Sequence, residues 1–133
     1  MSILKDKSRF NREAAELCLK SSLYSPSVHC SYYSCIQYML YVLFVKLKIK
    51  EDEFNKKRHL FKAGTHLLAI KLIELDLLGK ERLDYKNFRQ LILELKELRE
   101  KSDYKSFKIN QDEGWTAMNY SDRITNILIK NYK

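Results

Sequence analysis

The 133-residue chain carries 25 Lys and Arg against 17 Asp and Glu, a formal net charge of +8, and 45% of it is hydrophobic, with nine Tyr, six Phe and one Trp. This length suits one compact domain and is short for two, and the composition supplies a core where a disordered chain would lack one. Three Gly and one Pro leave little material for the tight turns of a β-sandwich or barrel, so the expected class is all-α: a single-domain, up-and-down bundle of about five helices.

The opening MSILK becomes charged within five residues and offers no apolar core for a secretory signal, so no export is expected. The first helix is predicted over about residues 8–23, where Phe10, Ala14, Leu17, Cys18 and Ser21 recur at helical spacing opposite Arg12, Glu13, Glu16 and Lys20. Ser25 as N-cap and Pro26 at the first position open a second helix that runs to about Ile49. Tyr32, Cys35, Ile36, Met39, Leu40 and Leu43 line one stripe of it. Tyr33, Tyr38, Tyr41, Phe44 and Val45 make the opposite side apolar too, which predicts a central helix touched from several directions, its tyrosines in the core or a dimer seam. His29, Gln37 and several Ser interrupt the apolar stretch 28–45, and its richest part is only ten residues, so a buried helix is expected and no membrane span. Cys18, Cys30 and Cys35 form no CxxC pair and no His/Cys cluster, which points to a reducing cytoplasm, no disulfide framework, no metal and no cofactor.

From Lys46 to Lys62 the periodicity is lost and seven basic residues meet three acids, so an exposed connection is expected. A solvated loop explains such a run of Lys. Phe54, His59 and Phe61 interleaved with Lys56, Lys57, Arg58 and Lys62 also suit an RNA-facing edge, since single strands are held by stacking plus phosphate contact. A third helix is predicted over residues 65–78 with Gly79 as its C-terminal cap. Asp84 caps the fourth, whose stripe Phe88, Leu91, Ile92, Leu95 and Leu98 has i, i+3, i+4, i+7 spacing. Residues 105–114 read as a polar loop, and Ala117, Tyr120, Ile124, Ile127 and Leu128 as a shorter fifth helix.

Near the end of the fourth helix, Arg99 lies four residues after Leu95 and seven after Ile92, so it leans inward, and Asp103 follows one turn later. An inward Arg requires an acceptor. Two readings stand together: a structural Arg99–Asp103 pair closing the helix end, or a guanidinium held ready for phosphate. His66, at the start of the third helix, is either a hydrogen-bonded helix-start residue or a neighbour of Arg99 where helices three and four pack. His29 reads as a capping or packing residue of helix two.

Taken together, Ser31-Tyr32-Tyr33-Ser34-Cys35 with the run to Leu43, then Thr65-His66, then Leu95 with Arg99, Ser102, Asp103 and Tyr104, resemble the small HEPN domains in order and spacing, over about residues 10–127. That resemblance implies a homodimer of bundles acting on or binding RNA or a nucleotide, often as the partner of a minimal nucleotidyltransferase in a prokaryotic toxin–antitoxin system. It further implies a metal-independent endoribonuclease in the active versions, where Arg is followed by four to six residues and then His. Here the residue five positions on is Tyr104. An unperturbed phenol of pKa about 10 is only about 0.1% ionised at pH 7, whereas a positioned base contributes roughly 10²–10⁴-fold. The resemblance therefore marks Arg99, Asp103, Tyr104 and His66 as the candidate cluster and leaves two outcomes, a ribonuclease or a non-catalytic nucleotide-, RNA- or protein-binding module. Net charge does not separate them, because residues 1–50 hold +5 of the total while the motif lies in the nearly balanced remainder.

Overall fold

The computed structural model describes residues 2–104 and 107–133; two residues of the expected 105–114 loop, 105 and 106, lie outside them. The described residues are all-α: α1 (Ile3–Lys20), α2 (Tyr24–Tyr41) with a π-helical turn Val42–Lys46 continuing it, α3 (Glu51–Leu60), α4 (Thr65–Leu78), α5 (Arg82–Asp103) and α6 (Gln111–Asn131). None of these helices is long and apolar enough to cross a membrane.

α2 is the central helix that its two apolar sides demand. Val28, Tyr32, Cys35, Ile36 and Met39 are almost wholly buried, Tyr38 and Tyr41 nearly so, and α1, α4, α5 and α6 all pack on it. Its serines decide how closely. Ser8 and Ser34 exchange hydroxyl-to-carbonyl hydrogen bonds across α1 and α2 at 2.7 and 2.8 Å, the Ser27 hydroxyl donates to the Ala15 carbonyl at 2.8 Å, and the Ser121 hydroxyl of α6 donates to the Ser31 carbonyl at 2.6 Å. Small side chains let these helices approach closely, and the hydroxyls of Ser8, Ser27, Ser34 and Ser121 are each satisfied by a main-chain oxygen, whereas the buried Ser31 hydroxyl has no partner among the described residues. Arg12 adds a two-pronged bond to Asp122, 2.7 and 3.0 Å, between α1 and α6.

This packing turns α1 away from the orientation its leucine spacing suggests. Ser8, Ala15 and Leu19 face inward, while Phe10 and Leu17 are 56% and 66% exposed. The helix also starts earlier than expected, because the Ser2 hydroxyl accepts from the Lys5 amide. α2 begins at Tyr24, so Ser25 is not its cap and Pro26 falls within the first turn, where its missing N–H is not needed. It ends short of Ile49, in the π-helical turn, with the Leu47 amide bonded to the Val42 carbonyl at 2.8 Å.

Two further corrections come from helix ends. Residues 46–62 hold α3 instead of an irregular connection, which makes six helices among the described residues. Glu51, Asp52 and Glu53 in its first turn and Lys57, Arg58 and His59 in its last complement the helix dipole, and Phe54, packed edge-on against Phe44 at 5.3 Å, is its single buried residue. Phe54 is therefore not free to stack on a base. α6 spans 21 residues because Asn110 and Glu113 form a capping box that starts it inside the expected loop. α4 covers the predicted residues, although Gly79 has φ −82° and no left-handed cap. α5 is capped by Glu81 instead of Asp84. Asp84 sits buried in the first turn, bonded to Asn131 at 2.8 Å and Lys130 at 3.0 Å, tying the start of α5 to the end of α6.

Candidate functional site

α5 carries its predicted stripe inward, with Phe88, Leu91, Ile92 and Leu95 buried against the core. Arg99 comes next on that face. Its guanidinium lies over the Tyr32 ring of α2, the carbon 5.1 Å from the ring centroid, a cation–π arrangement. Only 26% of the side chain is exposed, and the buried Nε has no hydrogen-bond partner among the described residues. Asp103 Oδ2 stands 3.8 Å from that Nε, too far for a hydrogen bond. The other oxygen, Oδ1, lies 2.6 Å from His29 Nε2. Asp103 thus makes its short contact with His29 and a longer ion pair with Arg99, so the Arg99–Asp103 pair that spacing allowed is present without a hydrogen bond. The Ser102 hydroxyl bonds the Arg99 carbonyl at 2.7 Å and tightens the end of α5.

His66 reaches the same cluster from the second position of α4. Its Nδ1 is 3.5 Å from the Tyr32 hydroxyl, and its ring stands edge-on to Tyr32 and Tyr33 at 5.6 and 5.4 Å. No side chain caps this helix at Gly64, so its first amides are left as donors beside His66. The cluster therefore gathers an under-bonded guanidinium, two imidazoles, a carboxylate and two phenols from three helices.

Burial shapes the protonation of these groups. It pushes the Tyr32 hydroxyl up to about 12, with Cys35 adding to the rise and Arg99 opposing it, so this phenol is a fixed neutral group at pH 7. Burial also lowers the His66 imidazole below its ordinary 6.5, and the Arg99 and Lys96 cations lower it further. An unfolded chain takes up a proton at residue 66 as pH falls through about 6.5, whereas the folded chain resists until lower pH. The stability that His66 contributes is thus present above about 6.5 and declines below it. Melting the parent and His66→Gln between pH 7.5 and 5 should show the parent losing more Tm on acidification; equal slopes would refute this.

The remaining predicted residues are placed elsewhere. Tyr104 lies just past the end of α5, 60% exposed, with its ring edge-on to Phe107 at 6.4 Å. Lys56, Lys57 and Arg58 ride on α3, and Lys62 follows it in a left-handed conformation, φ 51°. Lys56 and Lys62 are exposed, while the Arg58 Nε is buried with no hydrogen-bond partner among the described residues. Sequence reasoning missed His29 as a member of the cluster and Tyr32 as the platform for Arg99. Their signal was the shared face of α2, since His29, Tyr32 and Tyr33 are three and four residues apart.

Among the described residues no group of three or more His, Cys, Asp or Glu is arranged to hold a metal ion. No family model, curated protein or solved structure matches the chain.

Proposed function

We propose that the Arg99 cluster is a phosphate-recognition site for RNA in a HEPN-like helical protein, the partner of a minimal nucleotidyltransferase in a toxin–antitoxin pair. The observation that carries this reading is the guanidinium of Arg99, held over Tyr32 with its buried Nε unbonded. A mostly covered cation whose carboxylate partner stands 3.8 Å away is weakly compensated in a purely structural role, and a phosphate oxygen gives the guanidinium a stronger acceptor. The uncapped start of α4 and the nearby Lys96 favour the same charge. The order of helices and the Ser31–Cys35, Thr65-His66 and Leu95–Tyr104 segments support the HEPN-like assignment.

The reading includes a homodimer. Leu60, Phe61, Leu67, Leu75 and Leu78 leave the end of α3 and the outer side of α4 apolar and exposed, around a groove of about 360 Å³. Such a patch suits a second copy of the chain. Leu67 also faces Lys96 across the groove between α4 and α5, one turn before Arg99, which sets this surface beside the cluster.

Fluorescence anisotropy with a labelled single-stranded oligoribonucleotide tests the RNA site. Binding should weaken steadily as salt rises, and Arg99→Ala should weaken it about tenfold or more. Absence of binding by the parent, or equal binding by the variant, rejects the site.

A further inference from the structure

α1 and α2 form an antiparallel hairpin whose contacts repeat every seven residues. The Ser8 hydroxyl donates to the Ser34 carbonyl at 2.7 Å; seven residues further along α1 and seven back along α2, the Ser27 hydroxyl donates to the Ala15 carbonyl at 2.8 Å. Seven residues close two helical turns to within about 20°, so one touching pair places the next. A second pair on this seam is Asn11 and Gln37, whose side-chain amides bond at 2.6 Å. The same displacement from that pair, seven forward and seven back, reaches Cys18 and Cys30. We propose that Cys18 and Cys30 form a dithiol modification site, which a small-molecule disulfide converts reversibly into a disulfide clamping α1 to α2.

The surroundings of the two thiols fit such a bond. Both are free and only partly buried, open to a small reagent, whereas Cys35 is wholly buried with its thiol donating to the Tyr32 carbonyl at 3.1 Å. Ser8, Ala15, Ser27 and Ser34 are small and buried along the seam, which brings the two backbones close, as a disulfide requires. The main chain at Cys18 is fixed by the end of α1: Ser22 is left-handed, φ 60°, and the Leu23 amide bonds the Cys18 carbonyl at 2.8 Å. Cys30 packs against the cluster of Ala15, Leu19 and Met118. Burial, and after it the neighbouring Cys18 sulfur, push the Cys30 thiol up, a second sign that the two sulfurs meet. Cys30 is thereby held protonated, which makes Cys18 the first to attack.

The exchange balances with the small disulfide as its oxidant. Cys18, as thiolate, attacks one sulfur of the reagent; the reagent's S–S bond breaks, a bond forms to Cys18 Sγ, and the departing thiolate takes up the proton that Cys18 released. Cys30 Sγ then attacks Cys18 Sγ, forming the protein disulfide and expelling a second small thiolate, which takes the Cys30 proton. Two protein thiols are oxidised and one small disulfide is reduced to two thiols. Excess small thiol runs the sequence backward. The bond spans only residues 18–30, across a seam already made, so it stiffens the turn end of the hairpin without changing its register.

Oxidised glutathione, added to the native parent without oxygen, tests the proposal. The reaction is quenched with acid, alkylated in denaturant and read by intact mass and peptide mapping. The expected product has lost two hydrogens, keeps one alkylatable thiol at Cys35, gives a peptide cross-linked through Cys18 and Cys30, and reverts with reduced glutathione. It should melt about 5 °C or more above the reduced chain, a difference that reductant abolishes. Cys30→Ser should stop at a stable glutathione adduct on Cys18. A parent that keeps three free thiols, stops at an adduct, bridges through Cys35 or links two copies overturns the proposal. An oxidised parent melting no higher than the reduced one overturns it too, because the bond would then strain the seam it is assigned to fit. A Cys30→Ser variant that carries no adduct overturns the order of attack.

Discussion

Arg99→Met should melt at the same temperature as the parent or higher, while RNA affinity falls about tenfold or more. Most proteins lose stability when an inward-facing side chain is exchanged, so the expected direction is informative. The side chain is three-quarters covered, and its buried Nε makes no hydrogen bond among the described residues. Folding therefore strips it of water and returns only the Tyr32 ring and a carboxylate 3.8 Å away. Methionine fills similar volume, needs no acceptor and makes a favourable sulfur contact with the same ring. Replacing poorly satisfied buried charge with an apolar isostere is often neutral or stabilising, here by up to about 2 kcal/mol given the part that stays in water. Binding loses a charge-assisted bond worth roughly 1.5–3 kcal/mol. Thermal melts and anisotropy on one preparation check both halves. A marked drop in Tm with unchanged affinity would assign Arg99 to structure.

The second large effect is expected at Phe88→Ala, a loss of about 3–5 kcal/mol in unfolding free energy. Phe88 has no exposed surface and sits in the core where α5 meets the rest of the bundle. Truncating it removes the apolar contact area and leaves a cavity that flanking helices, pinned by their own packing, fill only in part. For a chain of this size the expected fall in Tm is about 10–20 °C. Leu93→Ala is the control on the same helix, because Leu93 is 53% exposed and its loss should stay within about 0.5 kcal/mol. Urea unfolding of both variants would separate them, and a Phe88→Ala midpoint near the parent's would show that α5 is not the support of the core that its burial indicates.

The parts of this molecule legible in its sequence are those encoded by neighbours along the chain. The stripe from Phe88 to Leu95, the limits of α4 and the two-sided apolar pattern of α2 are local signals, and each is found in place. α3 was not legible because a ten-residue helix that buries only Phe54 leaves no periodic trace; its graded charges, acids first and bases last, were the available signal. The early start of α6 was written in Asn110 and Glu113, three apart, a shorter signal than the apolar stripe that follows. The orientation of α1 was hidden because serine hydroxyls, not leucines, determine which side faces α2.

The site divides the same way. Arg99's inward lean follows from Leu95 and Ile92 on its own helix. Its companions do not: Tyr32, His29 and His66 meet it across gaps of dozens of residues, and Asp103's choice of His29 over Arg99 depends on how α2 and α5 pack. Spacing along one helix offered the nearer partner, and the tertiary structure supplied the shorter bond.

The hydroxyl-to-carbonyl bonds between α1, α2 and α6 have a consequence for the cluster's precision. Apolar surfaces slide past one another at modest cost, whereas a directional bond to a particular main-chain oxygen does not survive a shift of one residue. Ser8, Ser27, Ser34 and Ser121 therefore act as detents that fix the axial position of α2 on the side away from Arg99. With α2 locked from behind, His29 and Tyr32 become fixed reference points, and any breathing of α4 and α5 alters the gap between groups without disturbing the platform on which Arg99 rests.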